Sequence, residues 1–420
     1  MKMSPGQAQA RKAPTEFRGG VPSLAATTAG SLSCGDVITV STTLTEDIGP
    51  CAENGVIIGA DNIILNLNGH KIFGEPGLGD GTAAGVRLPG RTGVTVTGSR
   101  SGSVALGGTV SNFDAGIVVN GGSANTIENL NVRDNLSPAP TDEFEVPTAE
   151  LGDGILVLKS AANRITNNIV TNNGIYDGIG VFGLGSNSNL VTGNIVQDTV
   201  GVLGNRSASG TGILINHFFD QEPGTGIVIS ANSAERNIVR RNFGSGISSI
   251  GNVDGRIVGN IVRDNGAEYR PFALAENVLT EYPANGIGVQ PGSGQRDPGT
   301  RMVVKGNVSN RNGLNGFYLD GDASRVTDNS AFENGAIGIL VRRNTNGNRI
   351  TNNRTGYNGI LDLFDEGGED NARERGIDSC PNIWFANTWG PVQPGGQESW
   401  LGSFVTAYAP NCTAAGGSGG

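Results

Sequence analysis

Two aspartates precede the same dipeptide, as Asp153-Gly154-Ile155 and Asp177-Gly178-Ile179. If these triplets occupy equivalent places on consecutive turns of a repeating fold, their Cα atoms lie about 5 Å apart. Two carboxylates that close either raise one pKa or share a cation. A general acid beside a nucleophile or base needs that arrangement, and so does a Ca²⁺ site. Asp153 and Asp177 are therefore candidate catalytic groups and candidate Ca²⁺ ligands, and no other cofactor is expected. His217, one of two histidines, lies in HFFDQE beside Asp220. Imidazole titrates near neutrality, so His217 and Asp220 are candidates for proton transfer. Glu145, Glu150, Tyr269, Arg270, Glu281, Tyr282 and Arg296 are polar or aromatic residues on long inserted segments, suited to holding a substrate. Each has a plainer reading as well. Asp fits a turn column held elsewhere by Asn, and a histidine beside two phenylalanines commonly packs.

The elements that must position these groups are visible as a repeat. Asn168 and Asn173 stand five residues apart, and the pair recurs as Asn237/Asn242, Asn260/Asn265, Asn307/Asn312, Asn329/Asn334 and Asn353/Asn358. A second column reads polar or small residue, Gly, then Ile or Phe, at residues 153, 177, 225, 245, 285, 315 and 358. The short spacings define a unit of about 22–26 residues, and self-similarity at a fixed period marks a solenoid. Short segments rich in Ile and Val, with Gly and Asn at their boundaries, are too short for helices and read as strands. Asn suits the turns because its side chain bonds nearby backbone and tolerates left-handed φ. Stacked at about 4.8 Å, Asn side chains can also bond the coils on either side. An all-β parallel solenoid of about ten coils, each with about three short strands, satisfies these patterns.

The segments NRITNNIVTNNGIYDGIGV, RIVGNIVRDNG and RVTDNSAFENGAIGILV resemble right-handed parallel β-helix repeats of the pectate-lyase-like superfamily. The likeness covers roughly residues 55–365. The opening CGDVITVSTTLTEDIGPCAENGVIIGADNIILNLNGHKI resembles the N-terminal cap and first coils of secreted bacterial members, and SCPNIWFANTWG resembles their C-terminal segment. The resemblance implies a polysaccharide or cell-surface glycan as partner, and a lyase, glycoside hydrolase or epimerase activity. It equally admits a non-catalytic envelope, matrix or adhesin-like protein. The contiguous Asp cluster followed by Arg of pectate lyases, the Asp-Pro-His-Asp signature of alginate epimerases and the paired-Asp signature of polygalacturonases are all absent.

Residues 34–365 are expected to form the helix, with an N-terminal cap over 34–54 and a C-terminal cap over 366–412. Trp384, Trp389 and Trp400 are expected to cover the last coil. Residues 1–33 and 413–420 read as flexible. Insertions at 137–152, 201–224 and 267–284 enter at one phase of the repeat and should project from one corner, making the walls of a groove.

Composition limits the partners. The net charge is −10 with five lysines, which disfavours a nucleic-acid backbone. No apolar run reaches the length of a membrane span. The cysteines number four, at 34, 51, 380 and 412. Pairing 34 with 51 and 380 with 412 closes the shortest loops, among three connectivities open to four cysteines. An even count with no CxxC motif points to an oxidising, extracytoplasmic compartment.

Overall fold

The computed structural model describes residues 31–75, 81–98, 107–138, 152–203, 209–217, 229–272, 284–292, 300–342, 345, 347–365 and 382–389. Three parallel sheets of twelve strands each run along the molecule. Every coil gives one short strand to each sheet, as Asp177–Phe182 to the first, Leu190–Thr192 to the second and Ile195–Gln197 to the third. Twelve strands per sheet correspond to twelve coils, more than the repeat alone suggests.

Strands this short persist because each turns alternate side chains into a shared interior. Ile179, Val181, Val191 and Val196 are at most 1% exposed. They belong to one core cluster that runs without a break from Ile38 to Leu363. β-branched residues fill this narrow core in layers, which is why so few aromatic residues suffice.

The asparagines hold the corners. Asn167 and Asn172 take left-handed φ of 55° and 53°, and the next residue of each pair, Asn168 and Asn173, turns its side chain inward. Between the second and third sheets the column passes through Asn194, Asn237 and Asn260. The Asn194 backbone N–H and Nδ2 both donate to Asn237 Oδ1, at 2.9 and 3.1 Å. Asn237 Nδ2 in turn donates to the Val191 carbonyl at 2.9 Å and to Asn260 Oδ1 at 3.0 Å. A similar column, Asn242–Asn265–Asn312–Asn334–Asn358, lies between the third and first sheets. A third, Asn125–Asn163–Asn189–Asn232–Asn252, fills the remaining corner. The five-residue spacing therefore repeats twice per coil, as in Asn163, Asn168 and Asn173.

At these same corners, charge supports left-handed turns that side chains disfavour. Arg241 and Arg311 adopt left-handed φ of 54°. Arg241 donates to both carboxylate oxygens of Asp198, each at 2.8 Å, and Arg311 to those of Asp264, at 2.7 and 3.1 Å.

Both expected caps contain regular coil. Asp36–Ile38 and Ile48–Cys51 are strands of the first coil, and a disulfide joins Cys34 to Cys51 across it. At the other end Ile383–Phe385 and Thr388–Trp389 pair in parallel with Arg349–Thr351 and Arg354–Gly356. Asn382 and Asn387 keep the five-residue spacing, and Asn387 Oδ1 accepts from Asn353 Nδ2 at 2.9 Å. Trp384 points inward against the core and donates through Nε1 to Asp365 at 3.1 Å. The coil there escapes notice in the sequence because Trp384 and Trp389 stand opposite Ile350 and Thr355 of the coil before. Cys380, Cys412, Trp400 and the chain termini lie outside the described residues. Reducing Cys34–Cys51, which closes a separation of 17 residues, is expected to lower stability by about 3 kcal/mol. Proteolysis of the reduced protein should then cut first within residues 34–55; unchanged thermal and proteolytic profiles would contradict this.

The insertions do not share one corner. The first-sheet strand expected at Thr225-Gly226 is instead Thr211–Asn216, through the triplet Thr211-Gly212-Ile213. The segment 201–224 is thus split into one part before this strand and one after it. Undescribed residues 139–151, 204–208 and 273–283 precede first-sheet strands, whereas 218–228 and 293–299 follow them. Departures from the repeat therefore fall in the sequence both before and after first-sheet strands. No helix among the described residues is long and apolar enough to cross a membrane.

Candidate functional site

The first sheet carries a polar column along its N-terminal edge. Asp153, Asp177, Thr211, Ser245, Asn285 and Asn315 each precede an inward glycine, and all are buried. Ile155 pairs with Ile179, which places Asp153 in register with Asp177, and Asp177 pairs directly with Thr211. The predicted stacking of the two carboxylates is therefore present, with strands about 4.8 Å apart.

Most members of this column hold the next coil. Ser245 Oγ accepts from the Asn285 N–H at 3.1 Å, and Asn315 Oδ1 from the Ile337 N–H at 3.2 Å. The Asp153 carboxyl likewise faces the Asp177 N–H, and the Asp177 carboxyl faces that of Thr211. One backbone donor does not satisfy a carboxyl. Asp153 Oδ1 and Asp177 Oδ1 are buried without a hydrogen-bond partner.

Burial is the main cause that pushes the Asp153 pKa well above the carboxylate range, followed by the charge of Asp177; the backbone N–H opposes both. Asp177 is raised in the same way by burial, against the Thr211 N–H. Asp153 Oδ1 lies over the outer face of the sheet, where a Cβ at Gly180 would come within 3.0 Å of it. The same Cβ would collide first with the Phe182 ring, which is what keeps position 180 small.

Sequence reasoning overlooked two neighbours. Asp114 Oδ2 accepts from the Ala83 N–H at 2.9 Å, while its Oδ1 is buried without a partner. Ser137, 1% exposed on the preceding corner, has a hydroxyl in the same condition. Asp114 stands one place before the column, in Asp114-Ala115-Gly116, so the triplet pattern conceals it. Four buried oxygens without partners thus come from one sheet edge within three consecutive coils.

The remaining candidates lie elsewhere. His217 follows the far end of strand Thr211–Asn216, six residues beyond the level of Asp177 and about 20 Å along the strand. Its ring sits against Gly251 and Gly292, where a Cβ would collide with it. Burial lowers its pKa, against a hydrogen bond with the Ile250 backbone, so the imidazole is neutral at neutral pH. The structure does not bring His217 to the carboxyl pair. Tyr269 is 1% exposed and meets Phe243 edge-on, with ring centroids 5.6 Å apart. Arg270 Nη2 donates to the Glu333 carbonyl at 2.8 Å, clamping this segment against later coils. Both therefore serve packing in this conformation. Asp220, Glu145, Glu150, Glu281, Tyr282 and Arg296 lie outside the described residues.

Two apolar clusters bound the outer face of the first sheet. Val118, Leu156, Leu158 and Phe182 form one at the N-terminal side; Tyr269, Leu314, Tyr318 and Leu340 form the other. Between them Leu214, Ser248, Ile250 and Gln290 are partly exposed. A divalent cation fits poorly. Among the described residues no three His, Cys, Asp or Glu side chains converge on one point, whereas Ca²⁺ takes about 6–8 oxygens.

A family model for a right handed beta helix region matches residues 54–296. This chain belongs to that family. Solved structures resemble it at low identity and low TM-score. The Dettilon tailspike protein is 17% identical, with a TM-score of 0.42 over 84% of this β-helix chain and 60% of its own. An alginate lyase from Paenibacillus sp. is 11% identical, with a TM-score of 0.41 over 86% of this chain and 99% of that enzyme. The Agl-KA catalytic domain is also 11% identical, with a TM-score of 0.41 over 82% and 62% respectively. The β-helix chain thus spans about three fifths of the tailspike and Agl-KA chains. Likeness at this level says nothing of activity. No curated protein sequence matches the chain.

Proposed function

We propose that this β-helix protein is an extracytoplasmic carbohydrate-active protein that processes a polysaccharide laid across the outer face of its first sheet. The observation that carries this reading is the stacked pair Asp153 and Asp177, buried with one oxygen each left without a partner. Folding alone would favour Asn at both places, so an ionisable pair kept at a stability cost points to chemistry. A buried carboxyl with a raised pKa holds its proton and serves as a general acid, and its neighbour is placed to act as nucleophile or base. The register places their Cα atoms about 4.8 Å apart, close enough for the two carboxyls to act on one bond. Glycosidic hydrolysis is therefore the favoured reaction, with one carboxyl as acid and its neighbour as nucleophile or base. The Cys34–Cys51 disulfide supports an oxidising compartment.

A broad panel of neutral and acidic polysaccharides tests the reading through the products. New reducing ends support it; products with 4,5-unsaturated ends would replace it with elimination. Turnover of no polysaccharide would favour the second reading, a non-catalytic envelope or adhesin-like rod. One observation supports that second reading: Thr211, Ser245, Asn285 and Asn315 continue the aspartate column in hydrogen-bonding roles.

A further inference from the structure

The second sheet carries a different feature on its outer face. Arg325 and Arg349 pair directly in the ladder, and both side chains are exposed. Like charges opposed in neighbouring strands are unfavourable. Several other cations on the helix surface are matched: Arg256 with Glu235 at 3.2 Å, Arg301 with Asp254 at 2.7 Å and Lys305 with Asp328 at 3.6 Å. Arg325 and Arg349 have no such partner among the described residues, although the chain has 39 acidic residues to 29 basic ones. Two residues along the same face stand Thr327 and Thr351, whose hydroxyls bond at 3.3 Å. The next strand places Phe385 beside Thr351, and Phe385 is 70% exposed. Guanidinium groups, hydroxyls and an aromatic face thus share one flat area about 10 Å by 7 Å.

We propose that this patch binds an acidic sugar of a polysaccharide, on a sheet separate from the carboxyl pair. The two guanidinium groups, carried on strands about 4.8 Å apart, would share one oxyanion through charge-assisted hydrogen bonds. The apolar face of the pyranose ring would lie on Phe385, and the threonine hydroxyls would meet its ring hydroxyls. Charge complementarity selects the occupant: a neutral glycan would leave the stacked charges uncompensated. The patch would retain an acidic polymer while the first sheet acts on it, but binding here does not require that activity.

The test uses the full chain and direct binding to polygalacturonate, dextran sulfate, neutral dextran and duplex DNA. Binding to polygalacturonate or to dextran sulfate is expected, weakening as salt rises; whichever binds tighter identifies the oxyanion as carboxylate or sulfate. R325Q/R349Q should weaken that binding about tenfold with an unchanged or higher melting temperature, and F385A should weaken it several-fold. R354Q removes an arginine of the third sheet and should leave binding intact. Equal binding by wild type and R325Q/R349Q would overturn the proposal, as would retention of neutral dextran at the same affinity. DNA bound as tightly as the acidic glycans would overturn the assignment to a sugar. Binding without turnover would leave this patch supported and the catalytic reading refuted.

Discussion

Asp177→Asn is expected to stabilise the protein and to abolish its turnover of polysaccharide. In the folded chain the Asp177 pKa is raised above its unfolded value, chiefly by burial. Such a group binds more protons folded than unfolded between the two pKa values, so stability falls as pH rises through that window. Its contribution is complete below the unfolded pKa and lost once pH passes the folded one. Asparagine keeps an acceptor for the Thr211 N–H, adds a donor and has no charge to desolvate. The advantage of the variant should therefore grow with pH and reach about 1–2 kcal/mol at neutral pH. Loss of the carboxyl should lower kcat by roughly 10²–10⁴-fold. Melting temperature measured from acid to alkaline pH, alongside kcat, separates the two effects. A variant less stable at every pH would mean that the carboxylate binds something the column does not reveal. Full activity would remove Asp177 from the chemistry.

Asn237→Ala is expected to cost about 3–4 kcal/mol, large for one surface-remote polar side chain. The change strips Asn194 N and Nδ2 of their shared acceptor and leaves the Val191 carbonyl and Asn260 Oδ1 each short of a donor. Because each coil touches only its neighbours, the damage should stay local at first. Hydrogen exchange should accelerate across the coils containing Asn194, Asn237 and Asn260 before the ends respond. Asn237→Asp retains the acceptor but buries a charge, so it should be destabilised further as pH rises. A cost below about 1 kcal/mol, or uniform loss of protection, would show that the amide column is dispensable.

The contrast between these residues explains what the amino-acid order reveals. Asn168, Asn237 and Asn353 repeat because every coil needs the same corner, so local pattern reports the global fold. Asp153 and Asp177 were legible for the same reason, as substitutions within a column. Asp114 was not, because it sits one residue out of phase. His217 looked attractive by type, and only its strand position separates it from the pair. Thr211-Gly212-Ile213 matches the column as well as Thr225-Gly226-Ile227 does, and nothing local distinguishes them. Pairing with Asp177–Phe182 decides between the two, and that is a relation between coils. Arg325 and Arg349 lie 24 residues apart and acquire meaning only when stacked.

The parallel ladders also determine how the molecule would bear load. Hydrogen bonds between coils point along the long axis, so tension applied at the two ends opens them in succession and cannot shear them together. A coil such as the 24 residues from Asn329 to Asn353 would pay out about 80 Å of chain on release. Tension across the axis instead meets three sheets at once. The same rod is thus weak when drawn lengthwise and stiff when pressed from the side, and an attachment through its flank would protect it best.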